Sequence, residues 1–247
     1  MKKPEPEDSH RTETALPSYV SETRRIGVSI ILILPLLVLY QIGVVQAGST
    51  TRNIAEVWMT GPFGVLGWPA TTAVNVAALL ALVYGLWESQ RRGSLSIRFM
   101  GVMLAESMLY ALLMYTGISA ATAVIHDATH HFLAVNDVSQ QQLLLSLGAA
   151  VYEEILFRFL LIGGGVLLLR KLFMWEATTS AVLLLVVSSI LFSGAHHVGS
   201  GAESFDTFTF LFRALCGLTL GAVYLARGLG IAVWTHAIYN MLVLLRG

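Results

Sequence analysis

Three charged side chains stand close together in an apolar stretch of the chain. The stretch AAVYEEILFRFLLIGGG (149–165) contains Glu153, Glu154 and Arg158. A charge at the centre of a bilayer costs about 2.5–3.5 kcal/mol on insertion scales, so such groups usually pair or carry function. Glu154 and Arg158 are four residues apart and share one face of a helix, which predicts an ion pair. Glu153 points about 100° away from that face, so it is free to contact another helix.

Glu153 is the residue that this spacing leaves for chemistry. A carboxylate removed from water binds protons more strongly than one in solution, which suits a general base working near neutral pH. The alternative interpretation is structural: the three charges form a buried ion-pair cluster that fixes helix packing.

A second apolar segment ends in ILFSGAHHVGS, with two adjacent histidines. His196 lies four residues after Phe192 and shares its helix face, whereas His197 does not. Ser193 and Gly194 are small enough to allow a close helix or a substrate to approach. The alternative is a pair of interfacial histidines that reach headgroup water.

A third apolar segment, IAVWTHAIYNMLVLL, places His236 and Asn240 four residues apart on one helix face. Both side chains can donate hydrogen bonds, so together they can stabilise an oxyanion. The alternative is a hydrogen-bonded pair that joins two helices, worth about 0.6 kcal/mol per contact.

Composition places these three segments in a membrane. The 247-residue chain is 55% apolar and only 12% charged, whereas a soluble domain carries about 25% charged residues. The net charge is zero, so nothing in the total indicates a nucleic-acid partner. The single cysteine, Cys216, excludes an internal disulfide and a cysteine-rich metal site.

Several apolar segments are long enough to cross a bilayer as helices, which takes about 18 residues or more. We therefore predict an all-α, polytopic transmembrane helical bundle of about seven spans. The first span ends in a sequence similar to a signal-peptidase site, but its apolar run exceeds the roughly 7–15 residues of a signal peptide, so we expect it to be retained. The expected spans lie within 24–47, 68–88, 99–125, 143–169, 177–197, 206–226 and 229–245.

The three motifs stand in the order found in a known family. EEILFR (153–158), FSGAH (192–196) and HAIYN (236–240) resemble the motifs of the CPBP intramembrane proteases, which include the eukaryotic CAAX prenyl protease and bacterial homologues. FRALCGLTLGAVY (212–224) is similar to that family's Arg- and Gly-bearing helix, and its Arg213 either balances the two glutamates or binds substrate. The resemblance covers about 143–245, and the first three spans match no recognised pattern.

The resemblance implies a glutamate-type intramembrane endopeptidase of the CAAX type. In that mechanism Glu153 and His196 activate a water, and His236 and Asn240 hold the oxyanion of the tetrahedral intermediate. The water attacks the peptide carbonyl without a covalent intermediate. The residues expected to support and orient the site are Glu154, Arg158, Phe192 and Arg213.

The resemblance also indicates partners and cofactors. We expect the lipid bilayer and a membrane-anchored or lipidated protein substrate, cut near a terminus or a membrane-proximal segment. No cofactor is expected, but a metal-dependent version stays open, because Glu153, His196 and His236 match a His₂Glu zinc site with one position for water. No H-E-x-x-H motif occurs, which excludes the zincin arrangement.

Two other functions stay open at this point. One is a non-catalytic membrane immunity or scaffold protein that keeps the polar site for binding. The other is a small ion-coupled transporter in which the same residues line a proton or ion path. The sequence has no paired inverted repeats, which counts against a transporter.

We divide the chain into three regions. Residues 1–24 form a disordered cytoplasmic tail, 25–142 are N-terminal transmembrane helices, and 143–247 are the catalytic core. Lys and Arg residues concentrate in the tail and in alternate loops, which predicts a cytoplasmic N-terminus and an outside C-terminus. We expect a multi-pass protein of a prokaryotic cell membrane.

Overall fold

A computed structural model describes residues 19–46, 52–67, 69–92, 97–125, 140–198 and 202–246. Every regular element in those ranges is helical, so the predicted all-α class is confirmed. Residues 1–18 of the expected disordered tail lie outside the described ranges. The end of that tail, Tyr19–Thr23, is helical and is named α1.

The helices follow the apolar segments of the sequence. Five helices of the described chain are long and apolar enough to cross a membrane, at Ile26–Gln46, Thr72–Arg91, Arg98–Ala120, Ala177–Ala195 and Thr207–Arg227. The chain is therefore an integral, multi-pass membrane protein. In chain order the elements after α1 are α2 (Ile26–Gln46), α3 (Ile54–Val65), α4 (Ala70–Arg92), α5 (Ile97–Ile125), α6 (Gln140–Glu153), a π-helical segment (Glu154–Gly164), α7 (Gly165–Phe173), α8 (Ala177–Ala195), α9 (Thr207–Arg227) and α10 (Leu229–Arg246).

The remaining two predicted spans correspond to less regular elements. The fourth span corresponds to α6, the π segment and α7, which follow one another without a break. The seventh corresponds to α10, a shorter apolar helix at Leu229–Leu245.

Helix α10 is the centre of the bundle, since it packs against α2, α5, α6, α9 and the π segment. Its side chains Ile231, Ala232 and Val233 are fully buried, because the helix is apolar on nearly every side. Gly228 alone separates α9 from α10 and has a φ of 93°, a conformation that favours glycine. The sharp reversal places His236, two turns into α10, in the interior of the bundle.

Helix α3 was not predicted. It lies in the segment that the sequence analysis treated as the first loop, and it packs against α4 and α6. Twelve residues are too few to cross a bilayer, which takes about 20. Asn53 begins α3 by accepting the Ala55 N–H on its side-chain oxygen at 2.8 Å.

Candidate active site

The π segment begins at the second of the two adjacent glutamates. Glu153 is the last residue of α6 and Glu154 the first of the π segment, which has i→i+5 hydrogen bonds and a wider turn than an α-helix. Ser188 of α8 donates its hydroxyl to the Phe157 carbonyl at 2.8 Å, which satisfies an acceptor inside the segment. π-helical turns are rare and occur frequently at functional sites, and this eleven-residue segment carries Glu154 and Arg158 of the charged motif.

Glu154 and Arg158 form the predicted ion pair. Arg158 Nη1 lies 2.9 Å from Glu154 Oε1, and both side chains are fully buried. Arg158 also donates Nη2 to the Gly217 carbonyl at 3.2 Å, and its guanidinium carbon lies 4.5 Å from the ring centroid of Phe192. A Cβ at Gly217 would lie only 3.1 Å from the Ser189 Cα, so glycine permits this close approach of α9.

His236 joins the two glutamates. Its Nδ1 lies 2.8 Å from Glu154 Oε1, and its Nε2 lies 3.9 Å from Glu153 Oε2. An ionised carboxylate can only accept, so the first contact assigns a proton to Nδ1 and turns Nε2 towards Glu153. The sequence placed His236 in the site but did not predict that Glu154 orients it.

Asn53 is the site residue that sequence reasoning missed. Its Nδ2 donates to Glu153 Oε1 at 3.0 Å across a sequence separation of 100 residues. Glu153 is only 5% exposed. A signal was present in the sequence, because Asn53 and Glu56 have the N-cap-x-x-Glu spacing of a helix start. That signal predicts α3 but not its contact with the site.

His196 connects to the site through aromatic rings. Its ring centroid lies 5.2 Å from that of Phe192, which in turn lies 5.9 Å from that of His236. Its Nδ1 donates to the Phe192 carbonyl at 2.9 Å. No hydrogen bond or ion pair joins His196 to Glu153 in the described part of the chain, and their joint activation of a water stays a prediction.

Arg213 pairs outside the motif. Its Nη2 lies 2.7 Å from Glu203 Oε1, so the expectation that it balances the two adjacent glutamates is not met. The hydrogen bond from Arg213 lowers the pKa of the Glu203 carboxyl below its usual value. The Glu203 N–H donates to the His196 carbonyl at 3.1 Å, so the pair fixes the loop that follows His196.

Asn240, the last candidate, lies one turn beyond His236 on α10. Its Nδ2 donates to the Ser146 carbonyl of α6 at 3.3 Å. An amide nitrogen has two hydrogens, so one donor of Asn240 is free for another acceptor.

A cavity of about 300 Å³ lies beside these groups. His196, His236 and Asn240 line it, together with Phe192 and Arg213, and most of its remaining wall is apolar. Glu153 does not line the cavity, but its Oε2 lies 3.9 Å from the Nε2 of His236, which does. The cavity therefore brings an apolar ligand next to polar groups that can bind a carbonyl.

Comparison with known families assigns this part of the chain. Residues 138–242 match the family described as type II CAAX prenyl endopeptidase Rce1-like. The match covers less than half of the chain, and this segment is similar to that family. No curated protein and no solved structure matches the chain. This similarity, together with the long apolar helices, supports an intramembrane protease function in general.

In the ranges that the structure describes, no three His, Cys, Asp or Glu side chains converge closely enough to hold a metal ion. Glu153, His196 and His236, the set considered from sequence, do not form such a group.

Proposed function

We propose that the chain is a glutamate-type intramembrane endopeptidase in which Glu153 is the general base. The observation that carries the proposal is the geometry of its carboxylate. One oxygen accepts from Asn53 at 3.0 Å, and the other lies 3.9 Å from His236 Nε2. That separation is too long for a hydrogen bond, but a water can contact both atoms.

The proposed reaction begins with that water. Glu153 removes a proton while the water oxygen bonds to the carbonyl carbon of the scissile peptide, and the carbonyl electrons move onto its oxygen. The C–N bond then breaks as Glu153 returns the proton to the leaving nitrogen. His196 lines the same cavity as His236, and we propose that it holds the water together with Glu153 once substrate is bound.

Asn240 and His236 are proposed to stabilise the oxyanion. Asn240 has a second amide hydrogen beyond the one given to the Ser146 carbonyl. His236 lines the cavity and is held at Nδ1 by Glu154, which fixes its ring beside the site of the reaction. Preorganised donors of this kind contribute about 2.7–4 kcal/mol of transition-state stabilisation each.

The proposed substrate is a membrane-anchored or lipidated protein, cut near a terminus or a membrane-proximal segment. The family description supports this class. The apolar wall of the cavity also suits an apolar chain or side chain that enters from the bilayer.

The test compares protein termini in membranes from cells that produce the wild type or Glu153→Gln. We expect at least one membrane protein to keep a terminal segment in Glu153→Gln that the wild type removes. Glu106→Gln is the matched control, because Glu106 is another intramembrane glutamate but pairs with Arg227 of α9. In cells that produce Glu106→Gln, the same membrane proteins should be cut as in cells that produce the wild type.

The two alternatives predict other outcomes. An immunity or scaffold protein would keep its function in Glu153→Gln, with no change in any terminus. A transporter would move ions or protons into vesicles without shortening any protein. Either result would refute the endopeptidase proposal.

A further inference from the structure

We propose that Asn53 is a positioning residue for the reaction: its amide holds one carboxylate oxygen of Glu153 so that the other faces His236. This role rests on the proposed endopeptidase function. It assigns a task to α3, which lies outside the segment that matches the CAAX protease family.

The orientation of the Asn53 amide follows from its two contacts. Its oxygen accepts the Ala55 N–H at 2.8 Å, so its NH₂ group is turned to Glu153 Oε1 at 3.0 Å. The reversed amide would set an oxygen against the carboxylate and an NH₂ group against an N–H. Both contacts would then be repulsive, so the helix start itself determines which end of the amide meets Glu153.

The contact limits the freedom of the base. The terminal torsion of a glutamate is broad and roughly two-fold, so a carboxylate with no partner rotates easily. Glu153 is 5% exposed, and water therefore gives it little alternative support. With Oε1 held by Asn53, Oε2 stays 3.9 Å from His236 Nε2, where the proposed water is bound. A base fixed in this way reacts faster because less order must be created during the reaction.

The start of α3 is itself firmly held. Glu56, which is fully buried, accepts hydrogen bonds from the Tyr40 hydroxyl of α2 and from Arg52. The Tyr40 ring packs edge-on against Tyr152 at a centroid distance of 5.6 Å, directly before Glu153 in the chain. The first turn of α3 is therefore fixed to α2 and α6, and Asn53 cannot drift away from Glu153 without breaking these contacts.

A close approach of α2 to α6 makes this arrangement possible. A Cβ at Gly148 would lie 1.9 Å from the Tyr40 ring, so only glycine fits there. Gly148 lets Tyr40 reach between α6 and α3, where its hydroxyl meets Glu56.

Three substitutions separate positioning from helix capping. Asn, Asp and Ser cap helices about equally well, but they differ in what they offer Glu153. Asn53→Ser keeps the cap and removes the NH₂ donor, whereas Asn53→Asp keeps the cap and brings a second carboxylate to Glu153. Asn53→Ala removes both the cap and the donor.

Turnover is measured in lipid nanodiscs with a farnesylated, fluorescence-quenched peptide that ends in a CAAX sequence. We expect kcat to fall at least about tenfold in Asn53→Ser, the loss typical of a hydrogen bond to a charged group, and further in Asn53→Asp. KM should stay at the wild-type value in both. Tm should fall less in Asn53→Ser than in Asn53→Ala, because only the alanine variant also loses the helix cap.

A purely structural role predicts another pattern. Asn53→Ser and Asn53→Asp would then turn over like the wild type, and Asn53→Ala alone would be impaired, in proportion to its lower Tm. That pattern would overturn the positioning role.

A second readout needs no substrate. A hydrophobic carbodiimide reacts with buried carboxyl groups, and mass spectrometry measures labelling of Glu153. We expect faster labelling in Asn53→Ser than in the wild type because Oε1 is released, and equal rates would contradict the proposed contact. If instead Glu153→Gln cleaves the peptide at the wild-type rate, the proposed function fails while the labelling still tests the contact.

Discussion

Two of the charged groups in the described part of the bundle, one partly buried and one fully buried, differ in how completely their side chains are paired. At the first, Glu106 of α5 accepts from Tyr19 at 2.7 Å, from Tyr110 at 2.9 Å and from Arg227 at 2.9 Å. Both oxygens of Glu106 are used. We call these four residues the anchor cluster.

The second group is the candidate active site. Its Arg158 contacts α9 at Gly217, which lies about 15 Å along the helix from Arg227. There Glu154 Oε2 and Arg158 Nε are buried and have no hydrogen-bond partner among the described residues. His236 joins this group to a cavity, whereas the anchor cluster contributes no residue to that cavity's lining.

The comparison separates structural charge from functional charge. Native proteins pair nearly all buried polar groups, so incomplete pairing calls for an explanation. The anchor cluster stabilises the fold by fastening α1 and α9 to α5. The active-site group instead leaves two buried polar atoms without a hydrogen-bond partner among the described residues, and its member His236 lines a cavity.

The largest effect is expected from Arg158→Leu. This change leaves Glu154 as an uncompensated buried charge, which costs about 3–5 kcal/mol of folding free energy, and it frees the carboxylate that orients His236 to move. Thermal unfolding in detergent and peptide turnover measure both losses. Arg158→Leu with normal Tm and normal turnover would show that Glu154 needs no partner.

A smaller effect is expected from Glu106→Gln in the anchor cluster. The loss of a charged hydrogen-bond acceptor costs about 1–3 kcal/mol, because Arg227 keeps some access to solvent. Tm should fall, while turnover per folded molecule should match the wild type. A loss of turnover larger than the loss of folded protein would remove the distinction between the two groups.

A still smaller effect is expected when the pH is lowered, and it concerns the Glu203–Arg213 pair in and beside the loop after His196. The pKa of Glu203 is lowered by Arg213, so the pair stabilises the fold above the normal glutamate value of 4.5 and is lost as the pH falls through the lowered value. Glu203 is 53% exposed, so the change is slight. Wild type and Glu203→Gln should differ in Tm at pH 6 and converge near pH 3; a constant difference would contradict this.

No effect is expected from a chelator. In the described ranges neither group gathers three metal-ligating side chains, and turnover of the CAAX peptide should be the same with and without EDTA. Loss of turnover that zinc restores would instead support the zinc version considered from sequence.

Much of the fold could be predicted because hydropathy is a local property. For example, the third and sixth spans were predicted to end at Ile125 and Ala226, and the corresponding helices α5 and α9 end at Ile125 and Arg227. The pairing of Glu154 with Arg158 also followed from local spacing, since residues four apart share a helix face.

Contacts between distant segments could not be predicted in this way. Asn53 meets Glu153 only after α3 has packed on α6, and no periodicity in either segment encodes that packing. The same holds for the orientation of His236 by Glu154. The π segment was also missed, because its apolar residues have no pattern that distinguishes it from an α-helix.

The π segment makes the active site sensitive to chain length as well as to residue type. A deletion of one residue between Glu154 and Gly164 would change how these wide turns wind and so shift α7 in register relative to Glu154. Leu160 faces outward, with 47% of its surface exposed, so replacing it with another apolar residue should be harmless. Removing it should disrupt catalysis as severely as a substitution in the motif, because it changes the register in which Glu154, Arg158 and the neighbouring helices meet.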